Sequence, residues 1–355
     1  MVFSLRLFLM LSLLWYLRLL VAFGLVFFIW AICCCRFHPL RSIPCPFWSS
    51  IYWFRHEHDT EKGNSPQSQR DWHREYGMHS PLPRKTNLTS PGPLVRIKPG
   101  EVLCSDPNAI EVSTPKPTGQ ESAKSLENLR PDILQKMITT AVGRDRNVDL
   151  PVEHINTELL AALFGGTEPT HDPKKVTTEI ESAYAERKSQ GPLSYKEASD
   201  LPYLKACIKK SMRLHPAVSY PLPRTVPPGG ATISGVYVPA GYRVGINPAV
   251  VQYDKEVFGD DADEYNPESW LKGDADVQRM DKAMFPFGGA DDGCIGKNMA
   301  LCLVYKTIPS ILRRFEIHLA NEREPPKRNF WFNLLHDVRV RFKVKGRDSE
   351  EYWFD

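Results

Sequence analysis

From Leu7 to Cys35 the chain is apolar except at Ser12, Arg18 and Gly24. Such a run is long enough for a helix to cross a bilayer. Arg18 must snorkel toward the headgroups to escape the cost of a charge at mid-membrane. Arg36, His38 and Arg41 follow the run, so the positive-inside rule leaves the rest of the chain in the cytosol. A cleaved signal peptide is the alternative, but no small-x-small site follows and the run exceeds a usual signal core. Next comes "FHPLRSIPCPF", whose prolines fix φ and hold the downstream chain at a set angle to the anchor. Residues 55–92 are polar, rich in Pro, Ser and His, and aperiodic, which predicts loop or disorder.

Alternation then sets in. "GPLVRIKPGEVLCSDPNAI" predicts two short strands around a Pro-Gly turn, and "STPKPTGQESAKSLENLRPD" returns to loop. Helical spacing appears in "LPVEHINTELLAALFGG", where Ile155, Leu159 and Leu163 recur at i, i+4, i+8 and Gly165-Gly166 can end the helix. A second helix starts at "HDPKKV", with Asp172 as N-cap and Pro173 at the first helical position. "SYKE" from Ser194 is a capping box. "DLPYLKACIKKSMRLHP" is a further helix, with Leu201, Leu204, Ile208 and Met212 on one face and Pro216 as its stop. "PRTVPPGGATISGVYVPAGYRVGIN" predicts hairpins, "GCIGKNMALCLVYKTIPSILRRFEI" a last long helix bent at Pro309, and "FEIHLAN" and "HDVRVRFKVK" closing strands. The pattern is that of a mainly α domain with small β-sheets, preceded by a transmembrane helix.

Composition narrows the function classes. The 355 residues are 42% apolar and 25% charged, an ordinary globular balance. A net charge of +3 without a basic cluster speaks against a nucleic-acid partner. The eight cysteines show neither disulfide nor zinc spacing, which fits reduced thiols in the cytosol. Cys33 to Cys35 are either palmitoylation sites or simply the end of an apolar span. The sequon at Asn87 would go unused on a cytosolic face.

One stretch carries chemistry: "FPFGGADDGCIGKNMALCL", Phe285 to Leu303. It puts Cys294 where a Gly-rich loop meets a helix, and free backbone N–H groups and the helix dipole favour thiolate there. Gly296 lets the backbone come close to the sulfur or its ligand. A thiolate in a glycine-lined loop suits the axial position of an iron porphyrin. Taken alone, the same feature also describes a buried structural cysteine.

The run from Phe285 to Ala300 resembles the heme-binding loop of the cytochrome P450 family, the heme-thiolate monooxygenases. The likeness extends to "LPYLKACIKKSMRLHP", the family's K-helix segment, and to "YNPESWL", its meander. "RTVPPGGATISGVYVPAGYRVGINPAVVQYDKEVFGDDADE" also resembles the family, "HPLRSIPCPF" is similar to the post-anchor hinge of fungal members, and "GPLVRIKPGEVLCSDPNAI" to their first sheet. The resemblance implies a P450-like fold, heme b (iron-protoporphyrin IX) as cofactor, and Cys294 as its axial iron ligand. It implies that Phe287, Gly288, Gly296, Arg213 and Arg224 contribute to the cofactor site, with Arg224 at a propionate. Electrons would come from NADPH through NADPH-cytochrome P450 reductase. Lys297, Lys306, Arg313 and Arg314 would either dock that reductase or simply be solvated charges. The location implied is the endoplasmic reticulum membrane, single-pass, and the substrate a small hydrophobic metabolite of fungal secondary metabolism. "FGGTEPT" resembles the oxygen-activation segment, with Glu168 as its acid and Thr170 one residue beyond the hydroxyl position, which Pro169 occupies.

Several positions depart from the family's pattern. Asp292 stands where an arginine pairs a propionate, and two like charges about 4 Å apart cost roughly 4 kcal/mol at an effective dielectric near 20. The K-helix Glu-x-x-Arg is here Lys210 to Arg213, and the meander arginine is Ser269, so both partners of Arg213 are replaced. The helices that cover the distal face of the heme are missing between the first sheet and "INTELLAALF", and "MHSPLPRKTNLTS" is inserted after "REYG". The expected organisation is an anchor over 1–36, a Pro-rich hinge and polar linker over 37–92, and an incomplete P450-like domain over 93–348. Two functions remain as expectations: a heme-thiolate monooxygenase, or a degenerate or mis-spliced relative at the membrane without oxygenase activity.

Overall fold

The computed structural model describes residues 2–51, 54–76, 93–109, 173–187, 191–289, 293–294, 296–319, 327–329, 332–335, 338–346 and 351–354. Helix α1 runs Val2–Arg36. Within it Trp15–Cys34, 20 residues of mean hydropathy 2.4, is long and apolar enough to cross a membrane. Three helices come next: α2 (Phe47–Ile51), α3 (Phe54–Glu61) and α4 (Ser65–Tyr76). Composition predicts loop over much of this stretch, and the structure differs. Leu40 and Ile43 lie in the core, and the Arg96 N–H donates to the Pro44 carbonyl at 2.9 Å.

The polar helix α4 has a specific reason to form. Ser65, Gln69, Trp72 and His73 are its buried residues, a stripe at helical spacing made mostly of polar side chains. Trp72 packs with Val95, Ile97, Leu103 and Val250. Gln69 donates to Ser65 at 2.9 Å, shares a 3.2 Å hydrogen bond with the His56 ring, and accepts from Asn247 Nδ2 at 2.7 Å. Neither ring nitrogen of His73 has a hydrogen-bond partner among the described residues.

Burial lowers both histidines to about 4, His73 by burial alone and His56 by burial and then by Lys98, against a smaller pull from Glu57. Each stays neutral in the fold while the unfolded chain takes a proton below about 6.5. Stability is therefore full above pH 6.5 and falls as the pH drops toward 4, by up to about 1.4 kcal/mol per pH unit for each ring. Urea unfolding at pH 7 and pH 5 should show the loss, and His73→Phe should make it shallower. A profile that is flat over this range counts against buried neutral rings.

The main sheet has the order β1 (Leu94–Lys98), β2 (Glu101–Cys104), β6 (Arg243–Ile246), β3 (Leu222–Thr225). β1 and β2 form the expected hairpin, β2 pairs parallel with β6, and β3 closes the sheet antiparallel to β6. β4 (Ala231–Ile233) and β5 (Val236–Val238) make the second hairpin. A core of Val102, Val244, Ile246, Phe258, Trp270 and Phe285 packs around this sheet.

A second core is helical. It joins α5 (Pro173–Ala185), α6 (Tyr195–Ser199), α7 (Pro202–Leu214) and α11 (Lys297–Arg314) through Ile180, Leu204, Ile208, Val304 and Ile308. The Ser194–Glu197 capping box forms at α6. α7 lacks a side-chain cap of its own. Instead the Glu179 carboxylate on α5 accepts the Tyr203 and Leu204 N–H groups at 2.9 and 2.8 Å, a charged cap at the positive helix end. α11 runs through Pro309, whose missing N–H leaves the Tyr305 carbonyl without its usual donor. Short helices α8 (Pro248–Val251) and α9 (Lys255–Phe258), a 3-10 helix (Pro267–Leu271) and α10 (Asp274–Ala283) connect the two cores. β7 (Phe315–Leu319) pairs with β10 (Val340–Val344), which also pairs with β11 (Glu351–Phe354), while β8 (Lys327–Asn329) pairs with β9 (Asn333–Leu335). The described residues are about half helical, with small sheets. The helix expected around Ile155 to Leu163, and the stretch in which the fold is expected to be incomplete, lie outside the described residues.

Candidate functional site

The cysteine loop is built from its own backbone. The Gly288 N–H donates to the Phe285 carbonyl at 3.0 Å, and the Cys294 N–H donates to the Phe287 carbonyl at 2.7 Å. Gly288 has φ +82°, a conformation that costs an L residue roughly 1–2 kcal/mol. Phe287 and Gly288 are half-buried, and Cys294 is exposed. Helix α11 begins at Lys297, with Gly296 as its N-cap. The cysteine therefore precedes the helix instead of opening it. Its carbonyl accepts the Lys297 N–H at 3.1 Å. A Cβ at Gly296 would stand 3.6 Å from the Cys294 sulfur, so a longer side chain there would crowd it.

Two buried thiols are poor candidates for a thiolate. Burial pushes Cys104 up to about 11 and Cys207 to about 12, so both stay protonated near neutrality. Among the described residues, no three His, Cys, Asp or Glu side chains gather into a metal-holding cluster. Cys294 offers a single exposed sulfur donor.

Arg224 lies on β3 opposite Val244, half-buried, with Nη1 donating to the Pro223 carbonyl at 3.2 Å. Arg213 lies near the end of α7 and is fully buried. Its Nη1 donates to the Gln252 carbonyl at 2.6 Å, and its guanidinium sits 4.9 Å from the centre of the Phe258 ring. Nε and Nη2 have no hydrogen-bond partner among the described residues.

Lys210 is also buried, at 1% exposure, one helical turn before Arg213. Burial, then the Arg213 charge, pull Lys210 down to about 7, against weaker attraction from Asp261 and Glu264. Burial lowers Arg213 to about 10. The 3-10 helix packs along α7, and Ser269 on it is buried with its hydroxyl turned back to the Asn266 carbonyl at 2.8 Å. Lys209, by contrast, reaches out to Asp281 at 2.6 Å and lies over the Trp270 ring.

Sequence reading missed Gln252. It is fully buried. Its amide donates to the Arg213 and Met212 carbonyls at 2.9 and 3.3 Å, and its side-chain oxygen accepts the Phe285 N–H at 3.3 Å. One side chain thus fastens the end of α7 to the start of the cysteine loop. A glutamine among apolar neighbours was the only local signal. Glu168 and Thr170 lie outside the described residues, as do Asp291 and Asp292. Lys297, Lys306, Arg313 and Arg314 are exposed along α11, and Arg313 stacks on Tyr184 at 4.1 Å.

Residues 117–344 match the family profile described as Cytochrome P450. Similar proteins include the cytochrome P450 monooxygenase cicH of Emericella nidulans, 43% identical over 170 residues, which are 48% of this chain and 34% of that protein. ACRTS1 of Alternaria alternata, also described as a cytochrome P450 monooxygenase, is 33% identical over 61% of each chain. A third, gsfF of Penicillium aethiopicum, is 32% identical over 61% of this chain and 46% of its own. The chain thus spans between 34% and 61% of the length of these relatives.

Proposed function

Since the chain belongs to the cytochrome P450 family, we propose that it holds heme b through Cys294 and serves as a heme-thiolate monooxygenase. The observation that carries this is the exposed sulfur before α11, with a glycine beside it and its loop fixed by backbone hydrogen bonds. That donor would suit an iron macrocycle, which brings the iron's other protein-independent ligands itself. When bound, the heme supplies dioxygen activation. The chain's own part is to hold the sulfur, to pair a propionate through Arg224, and to brace the loop through Gln252. Glu168 and Thr170 are the proposed groups for moving protons.

The substrate we assign is a small hydrophobic metabolite, as befits relatives named as fungal P450 monooxygenases. Electrons would come from NADPH through a reductase docked near α11. The span Trp15–Cys34 supports an anchor in the endoplasmic reticulum membrane, with Arg36 and Arg41 keeping the body cytosolic.

A second reading is a family member without oxygenase activity. The buried, like-charged Lys210 and Arg213 favour it, because the family's pattern has an ion pair at these two positions. The test is product formation by the full chain with reductase, NADPH and a panel of apolar metabolites, against a Cys294→Ala control. Turnover above the control supports the first reading. Heme binding without turnover favours the second.

A further inference from the structure

Arg213 is a buried charge with one edge of its guanidinium unused. Its pKa falls only to about 10, so it stays charged near neutrality. The guanidinium carbon stands 4.9 Å from the centre of the Phe258 ring and 5.7 Å from that of Tyr253. Nη1 donates to the Gln252 carbonyl at 2.6 Å. Nε and Nη2 are buried without a hydrogen-bond partner among the described residues. Their N–H groups lie side by side on one edge of the planar guanidinium, the fork that a carboxylate fills with two parallel hydrogen bonds. Donors left unmade on a buried cation are costly and call for an explanation. Lys210 lies one turn earlier on the same face of α7, at 1% exposure, near enough for the Arg213 charge to act on it. The acids of the neighbouring loop are engaged elsewhere or exposed: Asp261 accepts from Asn266 Nδ2 at 2.9 Å, Asp263 pairs with Lys255 at 3.9 Å, and Glu264 is exposed. The 3-10 helix packed along α7 brings buried Ser269, which adds no charge.

We propose that the Nε and Nη2 edge of Arg213, together with the Lys210 ammonium, binds one small carboxylate anion of the size of formate or acetate inside the fold. Its two oxygens accept from Nε and Nη2, and its charge attracts both cations where they would otherwise repel each other. A spherical anion such as chloride cannot make the two parallel bonds, so the site prefers the planar fork. The packing of the 3-10 helix against α7 keeps the occupant small. Both cations are buried, so the anion enters as the fold closes, and its affinity adds directly to folding stability.

The experiment is equilibrium urea unfolding of the full chain in detergent at pH 7, with sodium formate or with sodium chloride at the same concentration. The readout is stability, so it depends on neither heme nor turnover. Formate should raise the folded-to-unfolded ratio of the parent about tenfold over chloride, the effect of a ligand at roughly ten times its dissociation constant. Lys210→Glu supplies a carboxylate from within the chain, three residues before Arg213, so formate should leave it unchanged. Lys210→Met keeps the Arg213 edge but loses the second cation, and its response to formate should be severalfold smaller than the parent's. No gain in the parent over chloride would overturn the site. An equal gain in the parent and in Lys210→Glu would mark a general effect of the salt and would overturn it as well.

Discussion

Lys210→Met is expected to stabilise the protein at pH 7 by about 1–4 kcal/mol, the range found when buried charge is exchanged for apolar packing of similar volume. Lys210 is buried beside Arg213, and none of the ion pairs among the described residues includes it. Its ammonium therefore bears both desolvation and repulsion. The pH dependence has a definite sign. In the fold Lys210 loses its proton near 7, while in the unfolded chain it keeps it to about 10.5. Between those values the unfolded chain binds more protons, so stability rises with pH. Below 7 both states are charged and the penalty is complete. Urea unfolding at pH 7 and pH 9 should show the parent gaining stability relative to Lys210→Met, for which this contribution is absent. Lys210→Glu should stabilise as well, because a carboxylate three residues before Arg213 shares its face of α7. If Lys210→Met destabilises and the two pH profiles run parallel, Lys210 has a counter-charge and the argument fails.

Cys294→Ala should abolish the thiolate-type band of the reduced, carbon monoxide-treated protein completely. The sulfur would be the iron's axial ligand, and a methyl group cannot replace it. Cys104 and Cys207 are buried and held as thiols, so they offer no substitute. Cys302 is half-buried within α11 and is the informative control: Cys302→Ala should leave the band intact. A thiolate-type band that persists in Cys294→Ala would move the ligand elsewhere. The spectrum is read without turnover, so it bears on ligation whichever functional reading holds.

Elements whose reasons are local could be read from the sequence. The Ser194 capping box, the Pro-Gly turn between β1 and β2, and the apolar face of α7 each depend on residues a few positions apart. α3 and α4 escaped notice because their partners are remote. Gln69 is held by Asn247, and Trp72 by the sheet, so the stripe facing the body is polar and lacks the apolar period that marks a helix. The cysteine loop was legible as a pattern of glycines around a thiol. The start of α11 three residues beyond Cys294 was not, because a Gly N-cap without a side-chain bond leaves little trace. Lys210 and Ser269 stood out only beside the family's pattern. That Lys210 would be fully desolvated became clear only from the packing of the 3-10 helix on α7.

The parallel pairing of β2 with β6 has a consequence for how the chain is assembled. Leu103 lies opposite Gly245, so the middle of the sheet joins segments far apart in the chain. Closing so long a loop is entropically slow. At about 5–20 residues per second of synthesis, the β1–β2 hairpin leaves the ribosome many seconds before its neighbour strand exists. Until then β2 presents an unpaired edge of buried-type residues, Val102, Leu103 and Cys104, beside an apolar helix that is already made. That interval is when a growing chain of this kind most needs a chaperone or a membrane to shield it.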